Sequence, residues 1–367
     1  MFEEDFWEAA TRGDAEEVRH LLEMTSPLID VNWTDPRFQR TAFYRACGHN
    51  QLEVVELLLK DSRVDLNKHQ TEGATPFYIA CQNGHIEIVK LLLNYEQINV
   101  NQPDIDGATA FFMAAQEGHF EIVKLLLENE KVNPNQMDND GATALMIACE
   151  EGHLEIVKLF LNSERIDVTL SAATDGSTPL WIAAQEGKAD VVRELIKDPR
   201  INVHQNSLLT IASQEGHLEV VQALLTIPKI DVNEMPDFGR TAFFSACVNG
   251  KIEIVKELLK DQRVDIHQKD YHGTSPFYAA SFFGHLDILK LILISTKDWD
   301  LFTIPHNSFG IALHKPDSEV VNFLFNLENN PELIRFELER EFGILDKRAS
   351  DIFVQIIFLC DDYLIFS

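Results

Sequence analysis

Cations are scarce in this chain: 31 Lys and Arg stand against 59 Asp and Glu, a formal net charge of −28 over 367 residues. A surface so acidic is repelled by phosphate backbones and by anionic lipid, so neither nucleic acid nor a membrane surface is expected as a partner. Cysteine is also sparse, five residues with no C-x-x-C pair, which speaks against a zinc site and against a disulfide framework. No apolar run approaches the ~20 residues of a membrane span; the longest, Ile352 to Cys360, is interrupted by Gln355. The opening stretch MFEEDFWEAA is acidic where a secretory leader is basic and then apolar. The expected location is therefore cytoplasmic or nucleocytoplasmic, and the sequon Asn32-Trp33-Thr34 would matter only in a secreted protein. Catalytic signatures are missing too: there is no G-x-x-x-x-G-K phosphate loop, no H-E-x-x-H and no G-x-S-x-G. Neither an enzyme nor a cofactor is expected.

What is present is a period. The stretch from Gly73 to Asn101 returns almost unchanged from Gly107 and again from Gly141. Turn residues fall at Asn50, Gly84, Gly118, Gly152, Gly187, Gly216, Gly250 and Gly284, in steps of 34, 34, 34, 35, 29, 34 and 34 residues. Self-similarity at such a period marks a repeat array. Within each copy the local signals agree. Thr75-Pro76, Thr178-Pro179 and Ser275-Pro276 put a hydroxyl at a helix N-cap and proline at the first helical position, while Thr41, Thr109, Thr143 and Thr241 keep the cap with alanine after it. The helix stops at glycine, or at Asn50 in the first full copy, where a left-handed backbone costs little. The second helix opens with an acid in every copy (Glu53, Glu87, Glu121, Glu155, Asp190, Glu219, Glu253, Asp287), favourable at the positive end of the helix dipole. In six copies a base follows three residues later, and Ile86, Val89, Leu92 and Leu93 supply an apolar stripe at helical spacing. One copy cannot bury its stripe alone, so stability must come from stacking on neighbours.

These residues carry a resemblance. The pattern G-x-T-P-F-Y-x-A-C-x-N-G-H-x-E-I-V-K-L-L-L, from about Asp35 to Ile294, resembles the ankyrin repeat. The resemblance implies an all-α solenoid of stacked helix–turn–helix units joined by short β-hairpin fingers, used to bind other proteins and not to catalyse. On this reading residues 1–34 form an N-terminal capping helix pair and 35–300 hold eight repeats. The sixth repeat is shortened near 203–209, where HQNSL leaves no room for a finger; this is either repeat drift or a hinge. Residues 301–328 are a degenerate C-terminal cap. The extension 329–367 is expected to form two helices, Pro331 to Phe342 and Arg348 to Leu364, the latter either a lid on the last repeats or a docking helix. Its ending Tyr363-Leu364 faintly echoes a SOCS box, whose proline- and cysteine-containing elements are absent in register.

Apparent motifs dissolve into the repeat. Cys47, Cys81, Cys149 and Cys247 share one small-residue position of the first helix and are expected to be buried thiols. His85, His119, His153, His217 and His285 all follow the turn residue. Neighbouring helices lie about 8–10 Å apart, too sparse a ladder to share a metal at ~2.1 Å, so they are expected to serve the turn and helix cap. The histidine of the ankyrin T-P-L-H element is replaced by Tyr44, Tyr78, Phe112, Met146, Trp181, Thr210, Phe244 and Tyr278. Stacking of large side chains is expected to stand in for the hydrogen bonds that this histidine makes between fingers.

The resemblance places finger tips and first-helix ends along a concave groove. In this chain that face would carry Gln82, Gln116-Glu117, Glu150-Glu151, Gln185-Glu186 and Gln214-Glu215, with Asp106, Asp140 and Asp175 from the fingers. Phe238, Tyr271, Phe282 and Phe283 would make its far end aromatic. Such a face suits a basic partner segment with a hydrophobic anchor, charge steering the encounter and aromatics supplying most of the binding energy. The alternative is that the Q-E-G string is a duplicated consensus retained for solubility. The expectation is a monomeric, non-catalytic scaffold for other proteins. The alternative is an adaptor that recruits machinery, such as ubiquitin-ligase components, through its C-terminal helices.

Overall fold

The computed structural model of the protein describes residues 2–25, 29–204, 207–295, 319–329 and 331–341. The chain divides into two compact units, Met1–Leu208 and Leu209–Ser367, at the shortened sixth copy. The first unit contains α1 (Phe2–Arg12), α2 (Ala15–Thr25), α3 (Ala42–Gly48), α4 (Leu52–Leu58), α5 (Pro76–Gln82), α6 (Ile86–Leu92), α7 (Ala110–Gln116), α8 (Phe120–Glu128), α9 (Ala144–Glu151), α10 (Leu154–Leu161), α11 (Pro179–Gln185) and α12 (Ala189–Leu195). First helices pack on first helices, from α1 through α3, α5, α7 and α9 to α11, and second helices pack on second helices from α2 to α12.

The second unit holds α13 (Leu208–Glu215, starting at the last residue of the first unit), α14 (Leu218–Leu225), α15 (Ala242–Val248), α16 (Ile252–Leu258), α17 (Pro276–Phe283), α18 (Leu286–Ser295), α19 (Glu319–Asn329) and α20 (Pro331–Glu341). Here α15 packs on α17, α16 on α14 and α18, and both α19 and α20 on α18. The expected helix from Pro331 is therefore present and lies against the last repeat helix. Of the degenerate cap expected over 301–328, residues 301–318 lie outside the described residues and α19 covers the rest; the expected helix from Arg348 to Leu364 also lies outside them.

The starts and stops follow the capping chemistry. At Thr41, Thr75, Thr109, Thr143, Thr178, Thr241 and Ser275 the side-chain oxygen accepts the backbone N–H three residues on. Asn50 has φ 59°, in the left-handed region that glycine takes at the other turns. The core is a ladder of equivalent side chains: Phe43, Phe77, Phe111 and Leu145 from first helices, and Val89, Val123 and Val157 from second helices, are all buried. The second-helix stripe is Ile88, Val89 and Leu92; Ile86 and Leu93, expected in it, are only half-buried. The 100°-per-residue turn brings Ile88 inward, because the helix is buried on both sides between its neighbours.

The fingers depart from the expected hairpins. Among the described residues the ladder-type pairing is a single bridge, Thr34 with Thr41. Elsewhere the finger is a tight turn closed by one backbone pair, such as Asp104 N–H to Ala108 O at 2.9 Å. An aspartate takes the place of strand pairing: Asp104 Oδ1 accepts the amides of Asp106 and Ala108, as Asp138 does for Asp140 and Ala142.

Candidate functional site: the first-helix ends and finger tips

In the first unit, the end of each first helix and the tip of each finger are held in fixed register. Successive fingers are tied backbone to backbone: Thr71 N–H donates to Phe38 O, Ile105 N–H to Glu72 O, and Asn139 N–H to Asp106 O, each at 2.9 Å. This leaves Glu72, Asp106 and Asp140 exposed at the tips, with Asp175 exposed in the next finger. At the helix ends Glu117, Glu150, Glu151 and Glu186 are exposed, while Gln82, Gln116 and Gln185 are half-buried.

Among the described residues the four helix-end glutamates Glu117, Glu150, Glu151 and Glu186 make no ion pair. Three acids of the second helices do: Glu87 with Lys90, Glu155 with Lys158 and Asp190 with Arg193 are bridged at 2.7, 2.8 and 2.7 Å. Bases are thus spent on one face of the repeats, and negative charge accumulates uncompensated on another. Adjacent copies feel it. Partial burial, and then the charges of Glu186 and Glu151, hold the Glu150 carboxyl above its ordinary range, with Lys188 offsetting part of the effect.

In the second unit the equivalent positions change character. Gln214 and Glu215 are exposed at the end of α13, and the amide of Gln214 donates to the Glu215 carboxylate. Phe238 and Tyr271 stand at finger tips, 65% and 68% exposed, and Phe282 and Phe283 end α17 at 50% and 48%. Phe238 adopts φ 63°, a conformation uncommon for a bulky residue. The next finger holds it there: Tyr271 N–H donates to Phe238 O at 3.1 Å, and the Tyr271 ring lies over Gly239 so closely that a Cβ would come within 2.5 Å of it. The Phe282 and Phe283 rings meet edge to face at 4.9 Å.

A family model described as "Ankyrin repeats (3 copies)" matches residues 6–104, 96–172, 166–236 and 209–302. The chain belongs to the ankyrin repeat family. No curated protein matches it. Ankyrin repeats generally mediate protein–protein interaction. Among the described residues no group of His, Cys, Asp and Glu is placed to hold a metal ion, and no helix is long and apolar enough to cross a membrane. The cysteines Cys47, Cys81, Cys149 and Cys247 are buried free thiols whose pKa burial pushes well up.

The ties between copies are made by residues expected from the sequence to serve another role or none. The turn histidines are bridges: the Nε2–H of His85, His119, His153 and His285 donates to the carbonyl of Gly48, Gln82, Gln116 and Val248 in the preceding copy, at 2.8–3.0 Å. They do stand at the N-caps of the second helices, but His85, His119 and His153 make no side-chain capping bond there. An asparagine ladder adds two bonds per step. Asn67 donates to Gln97 O and accepts from Asn99 N–H; Asn101 does the same with Lys131 O and Asn133 N–H, and Asn135 with Arg165 O and Asp167 N–H. Its signal in the sequence was an asparagine recurring three residues after an apolar β-branched one, as in Val64 to Asn67, Ile98 to Asn101 and Val132 to Asn135. Of the residues at the ankyrin T-P-L-H histidine position, Tyr78 does recover a hydrogen bond, its hydroxyl donating to Asp104 Oδ2 at 2.6 Å. Tyr44, Phe112, Met146 and Phe244 there are buried.

Proposed function

We propose that this ankyrin array is a non-catalytic, cytoplasmic protein-interaction scaffold whose first unit receives a basic segment of a partner along the acidic strip. The observation that carries the reading is the asymmetry of compensation. Three second-helix acids of the first unit, Glu87, Glu155 and Asp190, are bridged by lysine or arginine one turn on, whereas among the described residues Glu117, Glu150, Glu151 and Glu186 have no such partner. Like charges gathered on a rigid frame raise a potential that speeds the approach of an opposite charge. Burial and then repulsion from Glu186 and Glu151 hold Glu150 above its ordinary range, and a bound cation relieves the repulsive share. The exposed aromatics of the second unit, Phe238, Tyr271, Phe282 and Phe283, suit an apolar anchor, because aromatic side chains dominate binding hot spots.

Affinity capture from cell extract tests this, comparing the intact chain with one carrying Glu117, Glu151 and Glu186 all changed to Lys. The expected outcome is a partner that binds the intact protein, weakens as salt rises and is lost by the folded variant. Capture of the same proteins by both would assign the strip to solvation alone. The adaptor reading gains nothing from the described C-terminal helices: α19 and α20 pack on α18, and Lys290 Nζ donates to both Glu341 carboxylate oxygens, at 3.0 and 3.1 Å.

A further inference from the structure

The first finger of the first unit inverts the charge of those that follow it. Arg37, Phe38 and Arg40 occupy it, and the α3 residue Arg45 lies beside it, in a chain that has 59 acids and 31 bases. With acid so abundant, a structural arginine readily finds a carboxylate, as Arg63 does with Asp61 and Arg200 with Asp198, both at 2.6 Å. Arg37, Arg40 and Arg45 make no ion pair among the described residues. They lie instead against ring faces: Arg37 and Arg40 are 4.8 and 4.2 Å from the centroid of Phe38, and Arg45 is 4.8 Å from that of Trp7. Trp7 is fixed to the same finger by its indole N–H, which donates to Arg40 O at 2.8 Å.

The nearby carboxylate is already used. Asp35 accepts the backbone N–H groups of Arg37, Phe38 and Arg40, so it shapes the finger rather than neutralising the guanidinium groups in a bridge. The positive charges feel one another: Arg45 is held below its ordinary pKa first by burial and then by the charge of Arg40, and His49 by burial and then by Arg45. Arg45 beside Arg40, with the Asp35 charge offsetting only part of their repulsion, and Arg37 sharing the Phe38 ring make a poor packing solution and a good binding one. A guanidinium lying on a ring uses its face there and keeps its in-plane donors for other partners. Arg45 Nε–H already donates to Thr11 Oγ1 at 3.3 Å, and Arg40 Nε is buried without a partner among the described residues. A carboxylate would therefore meet the exposed Arg37 guanidinium and the terminal N–H groups of Arg40 and Arg45.

We propose that this arginine–aromatic cluster is a docking site for an acidic segment of a protein partner, whose carboxylates are gripped by Arg37, Arg40 and Arg45. Charge complementarity names the occupant. The net charge of the rest of the chain does not forbid it, because at physiological salt the Debye length is about 8 Å and the local cations govern what binds there. The site adjoins the first acid-tipped finger, Thr71 N–H donating to Phe38 O beside Glu72, but the triple Lys variant above changes none of its residues.

The test is fluorescence anisotropy on the full chain at 0.15 M salt, with a labelled peptide repeating Glu-Glu-Leu and a Lys-Lys-Leu peptide as its counterpart. The acidic peptide is expected to bind saturably, and Arg37→Gln with Arg45→Gln to weaken it by about tenfold or more, the scale of losing charge-assisted pairs. Helical circular dichroism should stay unchanged, and Arg193→Gln, on a distant helix, should bind as the parent does. Should the double variant unfold, Arg37→Glu alone alters only an exposed side chain and must still weaken binding. No binding, equal binding of the basic peptide, or undiminished binding by the folded variants would overturn the proposal. So would binding confined to a phosphoserine peptide or to anionic lipid vesicles.

Discussion

The Tyr78 hydroxyl donates to Asp104 Oδ2, and the other oxygen of that carboxylate organises the finger by accepting two amides. Removing the hydroxyl leaves a part-buried carboxylate oxygen short of a donor. Hydrogen bonds to charged groups contribute about 1.5–3 kcal/mol, and Asp104 is open enough to regain water, so Tyr78→Phe is expected to cost near the lower end, about 1.5 kcal/mol. Urea denaturation reads this directly, and an unchanged midpoint would mean that stacking alone holds the ring. Glu150 works in the opposite sense. A carboxyl whose folded pKa is raised binds its proton more readily in the folded chain, so its cost to stability is present at neutral pH and vanishes as pH falls through that pKa. Glu150→Gln is therefore expected to stabilise the protein at pH 7, by no more than about 0.5 kcal/mol because the group is exposed and screened. Near pH 3 it should make no difference, since parent and variant are then both neutral; an equal gain at both pH values would place the effect outside electrostatics.

At the scale of the element, the unit of construction is the turn between two helices together with the side chain that the next copy lays over it. Gly118 has φ 75°, and a Cβ there would come within 2.7 Å of the His153 ring, which is bonded to Gln116 O. Gly118→Ala thus meets two penalties: about 1–2 kcal/mol for a left-handed alanine, and a further loss as the ring is displaced. Combining it with His153→Ala removes the second penalty and leaves the first, so a double-mutant cycle by chemical denaturation should return a coupling of about 0.5 kcal/mol or more. Strict additivity would show that glycine is required for its backbone conformation alone. This coupling also explains what the sequence could tell. Caps, turn glycines and buried stripes are properties of one copy, so Thr75, Pro76, Gly84 and Val89 could be placed from the string itself. The roles of His153, Asn101 and Tyr78 are relations between copies, and nothing local distinguishes a histidine that caps its own helix from one that reaches back to the preceding one. The same limit hid the arginine–aromatic cluster, which joins Trp7 of α1 to Phe38 and Arg45 some 30 to 40 residues on.

For the whole molecule the governing number is the charge of −28. Salt acts on it in two opposing ways, and distance decides which prevails. Favourable pairs such as Glu87–Lys90, Asp190–Arg193 and Glu253–Lys256 are direct bridges of 2.7 Å, far inside the ~10 Å Debye length at 0.1 M ionic strength, so salt weakens each only modestly. Each is also worth little at an exposed site, about 0.2–0.5 kcal/mol. Repulsions among the excess carboxylates act between copies, at separations comparable with that length, and are screened in large part. Unfolding lets those charges spread apart, so repulsion burdens the folded state more than the unfolded one. The expected outcome is a melting temperature that rises between 20 mM and 300 mM sodium chloride and then levels off once the repulsion is screened. The triple change of Glu117, Glu151 and Glu186 to Lys, which lowers the excess negative charge from the native −28 by two per substitution, should flatten that rise. A melting temperature that falls with salt would mean that the short bridges, and not the uncompensated strip, dominate the electrostatics of this array.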